Sequence, residues 1–275
     1  SDPFSQLALS AIASRGGRTD AVVHSDSGQL GLAFLEYLPS GRNYTYYRDG
    51  SVGSQLRPEE LPEAVFAGAS ILHLPGMLLE LNDSMRQSCF RAVELAKQNH
   101  VLFSFDPNLR KELRNDAQMR QRMMQILSMA DVIEPTLDEA RIITGCTEIS
   151  DVLRALHAAG PRLVVLTRDK DGALFSFDGQ ILSAEGIDVP VVDPTGAGDT
   201  FAAALACCIE ENMQMEDAIS FCNCAGTLVC TKRGAIGMAI PTRAQVLDMM
   251  RVHPARLHLD SLQNLYEKEH KHETT

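Results

Sequence analysis

The sequence lacks the patterns that mark several common classes of enzyme. Its seven cysteines contain no CxxC pair and its eight histidines form no HExxH motif, so their spacing supports neither a zinc or dithiol site nor a catalytic zinc helix. There is no Walker A pattern, and residues 196–198 (GAG) lack the third glycine of a dinucleotide-binding fingerprint. P-loop phosphotransfer and hydride transfer are therefore not favoured.

Positive charge is also scarce. The formal net charge is -11 and no basic stripe is found along the chain, so no nucleic-acid partner is expected, because nucleic acids bind to basic surfaces. The longest apolar runs, such as residues 201–209, are far shorter than the ~20 residues that span a bilayer, and no basic and apolar leader opens the chain. We therefore expect a cytoplasmic protein without a membrane partner, in which an anionic ligand would need a local exception to the acidic charge.

Strand-like apolar runs alternate with amphipathic helical patterns from about residue 58 onward. The strand-like runs are residues 70–74, 101–105, 131–133 and 162–166, and the helical patterns between them are residues 83–98 and 116–129. This order predicts an α/β fold in which a central, mostly parallel sheet is covered by helices on both faces. Asp178-Gly179 predicts a tight hairpin between two further strands, and residues 198–251 are expected to be mostly helical.

The two ends of the chain differ from this pattern. An opening helix capped by Ser1 or Asp2 is followed by two strand-like runs, residues 32–38 and 43–47, which predict a small antiparallel lid within residues 30–50. Residues 257–266 predict an amphipathic terminal helix, followed by a solvated tail that includes His270. With 275 residues, the chain is expected to form a single domain, residues 1–275, with a homodimer through the lid as a further expectation.

The strongest chemical signal is the glycine-rich turn of residues 193–201 (DPTGAGDTF), which opens into an alanine-rich helix. Its small residues let the backbone N–H groups of Ala197, Gly198 and Asp199 point into one cavity at the positive end of the helix dipole, which suits a phosphoryl group. The carboxylate of Asp199 is placed to accept a proton from an attacking hydroxyl. The alternative for an isolated turn of this kind is an Asp that only caps a helix.

As a nine-residue block, residues 193–201 resemble the C-terminal signature of the ribokinase-like (PfkB) carbohydrate kinases. Shorter matches follow in the same order over nearly the whole chain, at residues 2–4 (DPF), 233–235 (RGA) and 240–242 (IPT). The resemblance implies a ribokinase-like fold and an ATP-dependent, Mg²⁺-requiring kinase. In it, Asp199 is the catalytic base beside the substrate, and Gly196, Ala197 and Gly198 form an anion hole that also contacts ATP.

The resemblance also implies contacts on the nucleotide side. Residues 166–173 look like the ATP-contacting strand and turn of the family, so Thr167, Asp169 and Gly172 are candidate ATP contacts, although Asp169 stands where the family usually has glycine. Asn223 aligns with the helix that packs beside the adenine.

Metal-binding positions are implied in the same way. Glu139 matches the glutamate of the family's Asn-x-x-Glu element, which organises Mg²⁺ through water, but Thr136 replaces the asparagine and puts part of that metal shell in doubt. Asp193 and Thr195 match positions that bind a monovalent cation such as K⁺ in some relatives.

Two segments resemble the substrate side of sugar kinases. Residues 105–110 (FDPNLR) look like a segment of fructokinases and 2-keto-3-deoxygluconate kinases, which makes Asn108 and Arg110 candidate substrate contacts. Residues 44–56 are similar to the segment after the lid in 2-keto-3-deoxygluconate kinases, where a Tyr and an Arg face the sugar acid. Here these are Tyr46 and Arg48; positions i and i+2 of a strand share a face, and a guanidinium binds a carboxylate through paired donors.

Three functions remain open from the sequence. A kinase of 2-keto-3-deoxygluconate or a close analogue is favoured, a fructokinase or other neutral-sugar or nucleoside kinase comes second, and a kinase-like binding protein without turnover comes third. The family's first strand, lid segment and Gly-Gly substrate clamp are not found before Ser1. We therefore expect this chain by itself to keep the ATP side and the base but to turn over poorly.

Overall fold

The computed structural model describes residues 2–38, 41–109 and 117–270, and the chain divides into two compact units. The smaller unit comprises the described residues up to Ala69 together with Met77–Val101. The larger unit comprises Ser70–Gly76 together with the described residues from Leu102 onward.

The smaller unit begins with helix α1 (Pro3–Ala13), which is capped as predicted because the Asp2 carboxylate accepts the backbone N–H groups of Phe4 and Ser5 at 2.9 and 3.1 Å. Strands β1 (Leu32–Leu38) and β2 (Gly41–Tyr47) form an antiparallel pair. This pair confirms the two predicted strands, and β2 begins two residues before the predicted start.

Helix α2 (Asp83–Gln98) completes the smaller unit and has the predicted bounds. Asn82 caps its first turn by accepting the Met85 N–H at 2.9 Å. The apolar face read from the sequence, which includes Cys89 and Val93, is buried.

The larger unit contains a seven-stranded mixed sheet whose spatial order follows the chain. Its strands are β3 (Ile71–Pro75), β4 (Leu102–Asp106), β5 (Val132–Ile133), β6 (Leu163–Thr167), β7 (Ala173–Phe177), β8 (Gln180–Ala184) and β9 (Leu257–Ser261). Strands β3 to β6 are parallel to one another, whereas β7, β8 and β9 each run antiparallel to the strand before. Because two reversals restore the direction, β8 points the same way as β3 to β6. Most of the sheet therefore runs in one direction, as predicted.

The helices of the larger unit lie between strands along the chain, except for the last one, which follows β9. They are α3 (Ala117–Leu127), α4 (Leu137–Thr144), α5 (Ile149–Ala159), α6 (Ala197–Glu210), α7 (Met215–Cys230), α8 (Arg243–Val252) and α9 (Leu262–Glu269). Among the described residues, no helix combines the length and the apolar character needed to cross a membrane.

Helices cover both faces of this sheet. Adjacent side chains of a strand point to opposite faces, so the contacts of two neighbouring residues identify the helices on each face. Phe175 of β7 belongs to one buried cluster with Phe201 of α6 and Ile219 of α7. The next residue, Ser176, faces the other way, and its hydroxyl lies 2.9 Å from Nε2 of His157 on α5. The predicted layering is therefore confirmed in the larger unit.

The prediction of one terminal helix over residues 257–266 is wrong in its first half. Leu257–Ser261 forms strand β9, which pairs antiparallel with β8, and only Leu262–Glu269 is helical. The sequence of residues 257–260 (LHLD) alternates apolar and polar side chains, which suits a strand, and the edge of β8 supplies the backbone partners that a strand requires.

The prediction of a solvated His270 is also wrong. Its Nε2 lies 3.0 Å from an Asp151 carboxylate oxygen, and its ring stacks on Tyr266 at a centroid distance of 4.2 Å. The neighbouring Glu269 accepts the Ser150 N–H at 2.9 Å, in the first turn of α5. The C-terminal helix therefore caps a helix that begins more than a hundred residues earlier in the chain.

Candidate active site

A cavity of about 220 Å³ lies where the carboxyl ends of three parallel strands meet the N-terminus of α6. Asp106 ends β4, Glu134 follows β5 and Thr167 ends β6, and all three line the cavity. Carboxyl ends of parallel strands share one edge of the sheet, which is where ligands of open α/β sheets bind. The described lining residues carry four carboxyl groups and no basic side chain.

The glycine-rich turn forms the second wall of the cavity. Gly196 is the N-cap residue of α6 and has the left-handed conformation, at φ 83°. No side chain caps this helix. In the part of the chain that the structure describes, the backbone N–H groups of Gly198 and Asp199 donate to no protein acceptor, whereas the Ala197 N–H donates to the Pro194 carbonyl at 3.3 Å. Two of the three predicted donors are thus open at the positive end of the helix, and the expectation for Ala197 is corrected by its internal bond.

The two glycines of this turn are required for different reasons. A Cβ atom on Gly196 would lie 2.8 Å from Cβ of Ala235, and its positive φ disfavours a side chain. A Cβ atom on Gly198 would meet no atom within 4 Å. The fold therefore requires glycine at position 196 but not at position 198.

Asp199 lies in the first turn of α6, lines the cavity and is exposed. Its carboxylate makes no hydrogen bond or ion pair with another described residue, so it does not serve as a side-chain cap. Its role as base stays a prediction, supported by this lack of a structural use.

Asp193 connects the glycine-rich turn to the loop that contains Gly234. This buried carboxylate accepts the Thr195 N–H and hydroxyl at 3.0 and 2.7 Å through one oxygen, and the Gly234 N–H at 3.0 Å through the other. The structure thus gives Asp193 and Thr195 a local role that ties two loops together. Their binding of a monovalent cation stays a prediction.

Glu139 is a buried residue of the cavity lining, and both of its carboxylate oxygens accept hydrogen bonds. It forms a capping box with Thr136 at the start of α4, in which each side chain accepts the other's backbone N–H, and its second oxygen accepts the Leu109 N–H at 2.7 Å. Threonine is a favourable N-cap, which explains how the helix tolerates it in place of asparagine. An effect of Glu139 on Mg²⁺ through water stays a prediction.

Glu134 is a lining residue that the sequence reasoning missed. Burial, followed by the negative charges of Asp106 and Asp199, raises the pKa of Glu134 well above its ordinary value. Burial and the charge of Glu139 raise the pKa of Asp106 to about 7. The available signal was an acidic residue directly after a predicted strand, at the edge of the sheet where ligands of open α/β sheets bind.

On the substrate side, Asn108 lines the cavity with its backbone at φ 41°, and its N–H donates to the Asp106 carboxylate at 3.0 Å. Arg110 lies outside the described residues. In the smaller unit, the guanidinium carbon of Arg48 lies 4.2 Å from the centre of the Tyr46 ring. These two side chains share a face, as their spacing predicts, and their contact with substrate stays a prediction.

Of the four predicted nucleotide contacts outside the glycine-rich turn, one lines the cavity. Thr167 lines the cavity, whereas Asp169, Gly172 and Asn223 are not among the residues that line it. Asp169 keeps a positive φ of 48°, the conformation that glycine adopts readily. Asn223 is buried and donates to the Glu185 carbonyl at 3.1 Å. The contribution of these residues to ATP binding stays a prediction.

The residues present fit a nucleotide bound with a cation. The open N–H groups of Gly198 and Asp199 suit phosphate oxygens, and carboxylates are the ligands that Mg²⁺ prefers. The described residues hold no group of three or more His, Cys, Asp or Glu side chains that could bind a metal directly. Phosphate oxygens and water would therefore complete the coordination of any Mg²⁺ near Glu139.

Comparison with known proteins agrees with this geometry. The family model described as pfkB family carbohydrate kinase matches residues 1–243. Fructokinase-1 of Oryza sativa subsp. japonica is 31% identical over 265 residues, covering 90% of this chain and 80% of the relative. The Vibrio cholerae O395 fructokinase, solved in fructose, ADP and calcium ion bound form, is 25% identical with a TM-score of 0.79, covering 90% of this chain and 82% of that chain.

A 2-dehydro-3-deoxygluconokinase from Thermotoga maritima shares the fold, with a TM-score of 0.82, 20% identity, and coverage of 91% of this chain and 81% of that chain. The nine-residue block, the strand-end cavity and these matches lead to one conclusion. The chain belongs to the pfkB family of carbohydrate kinases and has the ribokinase-like fold of ATP-dependent sugar kinases.

Proposed function

We propose that this chain transfers the γ-phosphoryl group of ATP to a hydroxyl of a six-carbon 2-keto sugar, with Asp199 as the general base. One observation carries the proposal: a carboxylate without a structural partner stands beside two open backbone N–H groups at a helix N-terminus. A base for the hydroxyl and donors for the phosphoryl oxygens are both required for this reaction.

The roles of the chain's own groups follow from their positions. Asp199 accepts the proton of the sugar hydroxyl, whose oxygen forms a bond to phosphorus while the bond from phosphorus to the ADP oxygen breaks. The N–H groups of Gly198 and Asp199 bind the oxygens of the transferring group, where negative charge is concentrated. Mg²⁺, when bound, would offset phosphate charge, and Glu139 would hold water around it.

Fructose is the first candidate substrate. Relatives with about 30% identity to this chain include fructokinases. The described cavity lining is also acidic and carries no basic side chain, so a substrate carboxylate would find no counter-charge among those residues.

The sugar acid 2-keto-3-deoxygluconate is the second candidate, and the pairing of Arg48 with Tyr46 favours it. The Tyr46 ring holds the guanidinium at 4.2 Å, which leaves the planar donor edge of Arg48 able to bind a carboxylate.

Steady-state phosphotransfer with both sugars tests the function and ranks the substrates. We expect turnover of fructose that depends on Asp199. If the sugar acid is the true substrate, Arg48→Ala should raise its KM by about 10-fold or more and change the KM of fructose less than about twofold. Arg57→Ala, at an exposed arginine paired with Glu60 in the same unit, is the matched control.

Absence of phosphotransfer to either sugar by a chain that still binds ATP would contradict the proposed function and support a binding role.

A further inference from the structure

Glu134 is a buried carboxyl group for which the described residues offer no hydrogen bond. Its side chain is 3% exposed, and neither carboxyl oxygen has a hydrogen-bond partner. It nevertheless lines the cavity that holds Asp199. Because a buried polar group without a partner costs about 1–3 kcal/mol, such a group is expected where a ligand supplies the missing bond.

The surroundings of Glu134 orient its carboxyl group but form no hydrogen bond with it. Nδ1 of His73 lies 3.3 Å from Oε1 of Glu134 and 3.1 Å from the Ser104 hydroxyl. Asp106 and Asp199 add negative charge near Glu134. The charge of Glu134 also contributes to the raised pKa of the Cys222 thiol on α7. Burial also lowers the pKa of His73, so the histidine is not a strong counter-ion for the carboxyl group.

Burial, followed by the negative charges of Asp106 and Asp199, raises the pKa of Glu134 well above its ordinary value, which favours the neutral form of this carboxyl group. A neutral carboxyl group carries an O–H donor. In a lining without basic side chains, such a donor can approach a phosphate oxygen without charge repulsion. The N–H groups of Gly198 and Asp199, in the same lining, supply further donors.

We propose that Glu134 is a ligand-binding residue that donates a hydrogen bond to the terminal phosphoryl group of the nucleotide, with His73 and Ser104 as the residues that position it. This inference rests on the proposed function for the identity of the nucleotide. It adds a donor to the phosphoryl site that neither the glycine-rich turn nor the resemblance to the family supplies.

The first test compares two substitutions of similar length. Glu134→Gln keeps an N–H donor, and Glu134→Met removes it. Binding of the non-hydrolysable ATP analogue AMP-PNP and of ADP, each with Mg²⁺, is measured by titration calorimetry. We expect Glu134→Met to weaken AMP-PNP binding about 10-fold or more and ADP binding less than about threefold, and Glu134→Gln to retain near-native binding of both.

Thermal unfolding separates this role from a structural one. Replacing a buried carboxyl group that has no partner should leave the midpoint of Glu134→Met unchanged or higher, because the cost of its burial is removed. A lower midpoint that accompanies the loss of binding, equal effects on AMP-PNP and ADP, or native binding by Glu134→Met would each overturn the proposal. Because these readouts require binding and not turnover, they remain decisive even if the phosphotransfer assay fails.

The positioning role of His73 has its own test. His73→Phe should weaken AMP-PNP binding in the native background and have little further effect in the Glu134→Met background, because the histidine acts through the carboxyl group. Additive effects of the two substitutions would contradict this coupling.

Discussion

Two helix N-termini line the same cavity and are built in opposite ways. Helix α4 begins with the reciprocal Thr136–Glu139 capping box, and the same glutamate also binds the Leu109 N–H. Helix α6 begins at Gly196 without a side-chain cap and leaves the N–H groups of Gly198 and Asp199 open. The first end is satisfied by the protein itself, and the second is left for a ligand.

This difference separates residues that stabilise the fold from residues that act on the ligand. A side-chain cap contributes about 0.5–2 kcal/mol of stability relative to alanine but only a few tenths of a kcal/mol relative to glycine, so α6 loses little stability by beginning with Gly196 as its cap. Glu139 in the first turn of α4 has three protein donors, whereas Asp199 in the first turn of α6 has none among the described residues. Substitutions at the two ends should therefore affect different measurable quantities.

Asp199→Asn should have the largest effect on activity. Loss of the base is expected to lower kcat by about 10²–10⁴-fold, while AMP-PNP affinity stays within a few fold, because the backbone donors remain. The thermal midpoint should not fall, since Asp199 makes no described hydrogen bond. A variant with near-native kcat would refute the assignment of Asp199 as the base.

Gly198→Val and Gly196→Ala test the two glycines at the start of α6 separately, one for activity and the other for stability. The space beside Gly198 is open, so Gly198→Val should fold normally but lose about 10-fold or more in kcat/KM as the branched side chain enters the phosphoryl site. Gly196→Ala should instead lower the free energy of unfolding by about 1–3 kcal/mol, since it strains a positive φ and meets Ala235. Full activity of Gly198→Val would show that this glycine has no part in ligand binding.

Thr136→Ala tests the capped end at α4. Loss of the cap should lower the free energy of unfolding by about 1 kcal/mol, measured by urea denaturation, with only a small change in kcat. Thr136→Asn is the control, because asparagine also caps and is the residue that the family resemblance leads one to expect. A fall in kcat as large as that of Asp199→Asn would break the distinction between the two helix ends.

The pH dependence of stability provides the smallest and most specific test. The pKa of Asp106 rises to about 7 in the folded chain, so the folded state binds a proton that the unfolded state releases near pH 4. Stability should therefore fall as pH rises from about 4 to 7. Asp106→Asn should flatten part of this slope when unfolding is followed in a metal chelator. An unchanged slope would show that Asp106 is not held in the neutral form.

Features specified by a few neighbouring residues were predictable from the sequence. The cap of α1 depends on Asp2 and Pro3, and the hairpin between β7 and β8 depends on Asp178-Gly179. The proposed phosphoryl site at the start of α6 is equally local, because residues 193–201 contain both the glycines and the acid. Each of these features is set by backbone preferences within one turn of chain.

Other features depend on residues that only the fold brings together. Residues 257–261 form a strand because the edge of β8 accepts them, and His270 is held by Asp151. Glu134 is the clearest case, since the sequence shows only an acidic residue after a short strand. Its burial and its neighbour His73 come from other strands. The sequence by itself thus determined the uncapped helix end that we propose binds the phosphoryl group. Tertiary structure decided which carboxyl groups are engaged and which stand free, because burial and partners are set by chain segments distant in sequence.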